Sequence, residues 1–153
     1  MTGVQTCALP ICWETILKKR EGYRAAFADF DPWQILTFDQ AHVERLLQDP
    51  SIIRNRLKVQ GAVRNAARFV EVQREFGSFD AYIWSFVGGT TIDRAWATRA
   101  DVPSTSPESD RLGQDLRKRG FTFVGSKIVY SEMQAAGLVN DHTLDCFRHD
   151  ELK

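Results

Sequence analysis

Two groups of residues in this chain could do chemistry. The first is His142 and Cys146, spaced His-x-x-x-Cys. On one helical turn that spacing sets an imidazole and a thiol on the same side, and both are donors that zinc accepts. A structural zinc takes four ligands, so the pair alone is half a site, and by spacing alone it reads as incidental. The second group is Gly-Phe-Thr-Phe-Val-Gly-Ser-Lys at 120–127. Ser106 can cap a helix that opens with Pro107 and continues through Leu112 and Leu116. The basic triplet Arg117-Lys118-Arg119 suits the negative end of that helix, and Gly120 can close it. A second helix is expected to begin near Ser126 and to run through Ile128, Val129, Met133 and Ala136 to Gly137. Phe121 and Phe123 are the apolar contents of the hairpin between them.

The first turn of that second helix has amide N–H groups with no intrahelical acceptor, and such a terminus can take a phosphate. Lys127 could add a charge there. An ordinary αα-hairpin with a glycine C-cap fits the same spacing, so both readings stay open. Asp141, in Val-Asn-Asp-His, can cap whatever follows it or act as a carboxylate in a site.

The elements that must position these residues read almost wholly as helix. A helical spacing of Trp13, Ile16, Leu17 and Arg20 is followed by Gly22, which interrupts, and by a continuation from Tyr23 to Phe27. Phe30-Asp31-Pro32 should stop it, because the residue before proline resists helix. Lys18, Lys19 and Arg20 form either a solvated face or a phosphate contact. An amphipathic helix is expected over 38–48, with Asp39 as N-cap and His42 on its surface. The longest helical tract, 52–76, has Leu57, Val59, Val63, Ala66, Ala67, Val70 and Val72 as its apolar positions. It also carries Arg54, Arg56, Lys58, Arg64 and Arg68, which could face a phosphate backbone or simply water. The short aromatic run 79–87 reads as core, and a polar loop containing Trp96 follows it to Ser106. No phosphate-loop glycine motif, internal repeat or βαβ alternation is present.

Composition limits the function classes. A chain of 153 residues with 43% hydrophobic residues can build one domain with a core. Its formal net charge is zero, so nucleic-acid binding would rely on local basic patches. No apolar run reaches transmembrane length and no secretory pattern opens the chain, so a cytoplasmic protein with no membrane partner is expected. The three cysteines are an odd number, which argues against a disulfide framework.

The segment KRGFTFVGSKIVYSEMQAAGLVNDH, with Cys146 after it, resembles the signature of the DNA-3-methyladenine glycosylase I family of helix–hairpin–helix DNA glycosylases. WETILKKREGYRAAFADFDP, DPSIIRNRLKVQGAVRNAARFVE, WSFVGG and VPSTSPESDRLGQDLRKRGF are similar to family segments in family order, so the resemblance spans 13–146. It implies an all-α helix–hairpin–helix glycosylase fold. It also implies a monofunctional hydrolase of base-excision repair, which breaks the N-glycosidic bond of alkylated adenine in double-stranded DNA and works as a monomer. By the same resemblance, Gly120, Phe123, Gly125, Ser126 and Lys127 contact the DNA backbone and Trp13 lines the base pocket. His142 and Cys146 supply two of the four ligands of a structural zinc, and Asp141 lies in the general region where related glycosylases, though not the alkyladenine family, depend on an aspartate.

Residues 1–11, MTGVQTCALPI, depart from the family pattern. A common short-read sequencing adapter, read from a GTG start codon, translates as this peptide, and its leftover base fits Cys12. Residues 1–12 are therefore expected to be an adapter artefact, and 13–153 a helical glycosylase domain lacking its N-terminal portion. The family's acidic pocket residue, eight positions before the tryptophan, falls on Gln5, so no carboxylate replaces it. The other two zinc ligands belong to the missing part, which implies weak or no zinc binding. Three readings remain open for the chain: a glycosylase, a non-catalytic helix–hairpin–helix DNA-binding remnant, and a poorly stable fragment with no function.

Overall fold

The computed structural model describes residues 13–152. The expected adapter segment, 1–12, lies outside them. The described residues are mostly helical, as expected, and fall into two compact units divided between Val63 and Arg64. No helix among them is long and apolar enough to cross a membrane.

The first unit contains α1 (Trp13–Lys18), α2 (Arg20–Ala26), α3 (Pro32–Ile35), α4 (Gln40–Leu46) and the start of α5 (Arg56–Phe76). The break falls at Lys19, not at Gly22 as the sequence suggests. Gly22 sits inside α2 for a packing reason: a Cβ there would lie 2.5 Å from the carbonyl oxygen of Ser51. Lys19 Nζ donates to the Pro50 carbonyl at 2.6 Å, and Lys18 pairs with Glu14 at 2.6 Å, so both lysines already have partners in the chain. Asp31 caps α3 through the Trp33 amide, and Asp39 caps α4 through the His42 amide, as expected of short acidic caps. The long helix begins at Arg56, later than the tract at 52, because Asn55 Oδ1 accepts from the Lys58 amide and acts as its cap. Leu57 belongs to the apolar periodicity but is 64% exposed. Phe27, Ile35, Val43, Leu46, Ile52 and Val59 supply the buried apolar surface.

In the second unit, α5 continues to Phe76, and α6 (Phe79–Ser85), α7 (Pro107–Lys118) and α8 (Ser126–Ala135) follow. Val72, Tyr82, Leu112, Leu116, Phe121, Val129, Tyr130 and Met133 pack into one apolar cluster. The short aromatic run is thus a core helix, with Ser78 as its cap. One feature was not expected: β1 (Ile92–Asp93) and β2 (Val139–Asn140) pair in parallel. Two residues per strand carry no readable alternation. The pairing ties the polar loop to the chain beyond α8.

A polar network anchors the end of α7. The Tyr82 hydroxyl donates to Asp115 at 2.8 Å, and Arg119 Nε donates to the same carboxylate at 2.7 Å. Arg119 also donates to both oxygens of Glu75, and its guanidinium lies 4.9 Å from the Phe76 ring centre and 5.1 Å from that of Tyr82. One member of the basic triplet is therefore a structural tie. Partial burial works to raise the Asp115 pKa, but hydrogen bonds from Arg119 and Tyr82 outweigh it and hold the carboxyl below its ordinary value. A depressed folded-state pKa stabilises the fold above the unfolded value, near pH 4, and that contribution disappears as pH falls through the folded value. Thermal melts in an acid series should show stability falling below about pH 4, and Asp115→Asn should flatten that dependence while lowering stability at neutral pH.

Candidate nucleic-acid interface

The chain reverses between α7 and α8 over residues 119–125. Ser106 opens α7 with a reciprocal capping box to Ser109, and Pro107 takes the first helical position. Gly120 closes it at φ +90, in the left-handed region that suits glycine. The Phe121 amide then returns to the Leu116 carbonyl, and its ring is buried. Phe123 takes a left-handed conformation, φ +61, although it is a bulky residue, and 48% of it is exposed. The expectation that both phenylalanines fill the hairpin is corrected: the twist after Thr122 turns Phe123 outward.

Gly125 is the N-cap residue of α8 and offers no side-chain cap. Its carbonyl accepts from the amides of Ile128 and Val129. Among the described residues nothing accepts from the amides of Ser126 and Lys127. Two donors at a positive helix end, with Lys127 exposed beside them, suit an anion. The helix start is held from below. Ser126 Oγ lies 2.8 Å from Ser109 Oγ, and Ser109 is fully buried. Gly113 lets α7 approach the loop, since a Cβ there would lie 3.1 Å from the Val124 carbonyl oxygen.

A second polar centre lies beyond α8, around Asp141. Trp96 Nε1 donates to Oδ1 at 2.8 Å, while the Tyr130 hydroxyl at 2.6 Å and Gln134 Nε2 at 2.8 Å donate to Oδ2. Burial and the Asp141 carboxylate push the Tyr130 phenol above its ordinary pKa. Asp141 borders an open cleft of about 460 Å³ lined by Trp84, Thr91, Gln134, Asn140 and His142. It also borders a neighbouring cleft with Arg99, His142 and Cys146. His142 Nδ1 and Cys146 Sγ are 3.3 Å apart, brought together by a Thr143–Cys146 turn and not by the helical turn that the spacing suggests. Two ligands on a tetrahedral zinc stand about 3.6 Å apart, so the pair suits two corners of such a site. Among the described residues no third His, Cys, Asp or Glu joins them.

Comparison with known proteins places this geometry. The methyladenine glycosylase family model matches residues 4–149. The chain belongs to the methyladenine glycosylase family.

Relatives in this family include DNA-3-methyladenine glycosylase 1 of Escherichia coli strain K12, 43% identical over 136 residues, which are 89% of this chain and 73% of that protein. A crystal structure of 3-methyladenine DNA glycosylase I is 47% identical with a TM-score of 0.85, over 90% of this chain and 76% of that one. A structure of 3-methyladenine DNA glycosylase I from Staphylococcus aureus, solved to explain 3-methyladenine recognition, is 34% identical with a TM-score of 0.85, over 94% and 75%. The all-α glycosylase fold expected from the sequence is therefore the fold of this chain.

Within this methyladenine glycosylase fold, Gly120, Phe123, Gly125, Ser126 and Lys127 share one reversal. Asp141, His142 and Cys146 share one cleft. Trp13 opens α1, but its side chain lies outside the described residues. Asp141 does not cap a helix, which corrects that expectation: turns follow it, and Asn140 Oδ1 accepts from the His142 amide instead. Sequence reasoning missed Trp96 and the Tyr130–Gln134 pair. The pair was readable as i, i+4 neighbours on one helix face; the distant indole partner was not. With two bonded oxygens, Asp141 serves as an acceptor that ties the polar loop to α8. Asp141→Ala should leave the Tyr130 and Trp96 donors unpaired at about 1–3 kcal/mol each, and Asp141→Asn should cost less. Thermal melts of both variants check this order.

Proposed function

We propose that this chain acts on alkylated double-stranded DNA as a monomer and releases 3-methyladenine by hydrolysis of its N-glycosidic bond. The observation that carries the reading is the unpaired amide pair at the start of α8, beside exposed Lys127, in a chain of the methyladenine glycosylase family. The hairpin grips backbone phosphates and positions the duplex without reading sequence. The damaged base leaves the stack and enters a pocket lined by aromatics, with Trp13 as one wall. An N3-alkylated adenine in DNA is cationic and already a good leaving group, so stacking and acceptor groups do most of the work, with water as nucleophile. Lys127 stands at the phosphate-binding end of the helix, a place for charge rather than for a Schiff base.

A second reading, binding without excision, is favoured by Gln5, an amide where the family resemblance calls for an acid. Release of 3-methyladenine from alkylated duplex separates the two. Excision by this chain supports the enzyme. Salt-dependent duplex binding with no released base supports the remnant. The absence of both would overturn the role given to the hairpin.

For the metal, His142 and Cys146 would hold zinc, where it would tie the two side chains together as a structural ion. With two of four donors, this chain is proposed to bind zinc weakly. Elemental analysis after dialysis should find well under one equivalent, and one tightly held equivalent would refute the half-site reading.

A further inference from the structure

Among the described residues the hairpin's backbone has one partner outside its two helices. Asn65, in the middle of α5, faces Thr122 across 57 residues of sequence. Its Nδ2 donates to the Thr122 carbonyl at 3.0 Å, and its Oδ1 accepts from the Thr122 amide at 2.9 Å. The Thr122 hydroxyl adds a longer bond to the same oxygen at 3.2 Å. A side-chain amide thus bonds both backbone groups of one residue, as a neighbouring strand would. The residue after Thr122 is Phe123, at φ +61. A left-handed conformation there costs an aromatic residue energy and persists only where its surroundings impose it. Arg68, one turn further along α5, packs against Gly120, its Cδ 3.3 Å from where a Cβ would stand. The same helix therefore supports the hairpin at its first residue and at its middle.

We propose that Asn65 is a positioning residue for DNA binding. By clamping Thr122 it holds the strained turn at Phe123, and with it the direction in which the open amides of Ser126 and Lys127 meet a phosphate. This rests on the phosphate-binding role given to the hairpin above. Asn65 itself touches no DNA; it acts through the backbone of Thr122. Its role is distinct from that of the exposed cations, which supply charge but not geometry.

The test is titration of the full chain with a short alkylated duplex at several salt concentrations, well below the melting temperature. Wild type is compared with Asn65→Ala, Thr122→Val, Ser78→Ala and Lys127→Glu. Asn65→Ala should bind about tenfold more weakly, and its plot of log affinity against log salt should be shallower by about one phosphate contact. Thr122→Val removes only the longer bond and should stay close to wild type. Ser78→Ala loses the cap of α6, so it should melt lower yet keep the wild-type affinity and salt slope. If Asn65→Ala also melts lower but keeps both, Asn65 is merely structural and the proposal fails. An equal loss in Thr122→Val would move the effect to the hydroxyl and overturn it as well. If Lys127→Glu weakens binding and Asn65→Ala does not, only this inference falls. If wild type shows no salt-dependent binding, the hairpin's phosphate role falls with it.

Discussion

A short reversal between two helices has no ladder in which to satisfy its backbone, and every polar group that leaves water there needs a partner. This constraint governs the second unit. The Phe121 amide returns to α7, the Thr122 amide and carbonyl go to Asn65, and the Gly125 carbonyl goes into α8. Among the described residues the amides of Ser126 and Lys127 have no acceptor, and these two stand at a positive helix end.

The apolar and polar parts of this unit support each other. Phe121, Leu116, Val129 and Met133 bury the contact between α7 and α8. Two close approaches then become possible, Gly113 against the Val124 carbonyl and Ser109 against Ser126. Arg119 is drawn away from the solvent role its neighbours suggest, because Asp115, Glu75 and two aromatic rings surround it. Asp141 plays a similar part at the other end of α8, where one carboxylate gathers donors from the polar loop and from the helix.

Much of this was legible in the residues. Ser106, Asp39 and Gly120 mark helix ends by local chemistry, and their roles in the structure agree with it. His142 and Cys146 are close in sequence and meet across a turn closed from the Cys146 amide to the Thr143 carbonyl. Failures occurred where a residue's role depends on a distant neighbour. Gly22 looks like a helix breaker but is a packing contact with the Ser51 turn. Phe123 looks like core, but the left-handed turn directs it outward. Asp141 looks like a cap but finds an indole 45 residues away.

The sequence by itself determined the helical class, the helix ends at Asp39, Ser106 and Gly120 and the family, because these rest on periodicity, short-range hydrogen bonding and long matching segments. Tertiary structure alone decided which cations are consumed internally, which aromatic faces water, and that Asn65 meets Thr122. Those outcomes depend on contacts between residues tens of positions apart, and nothing in local spacing encodes the distance between them in space.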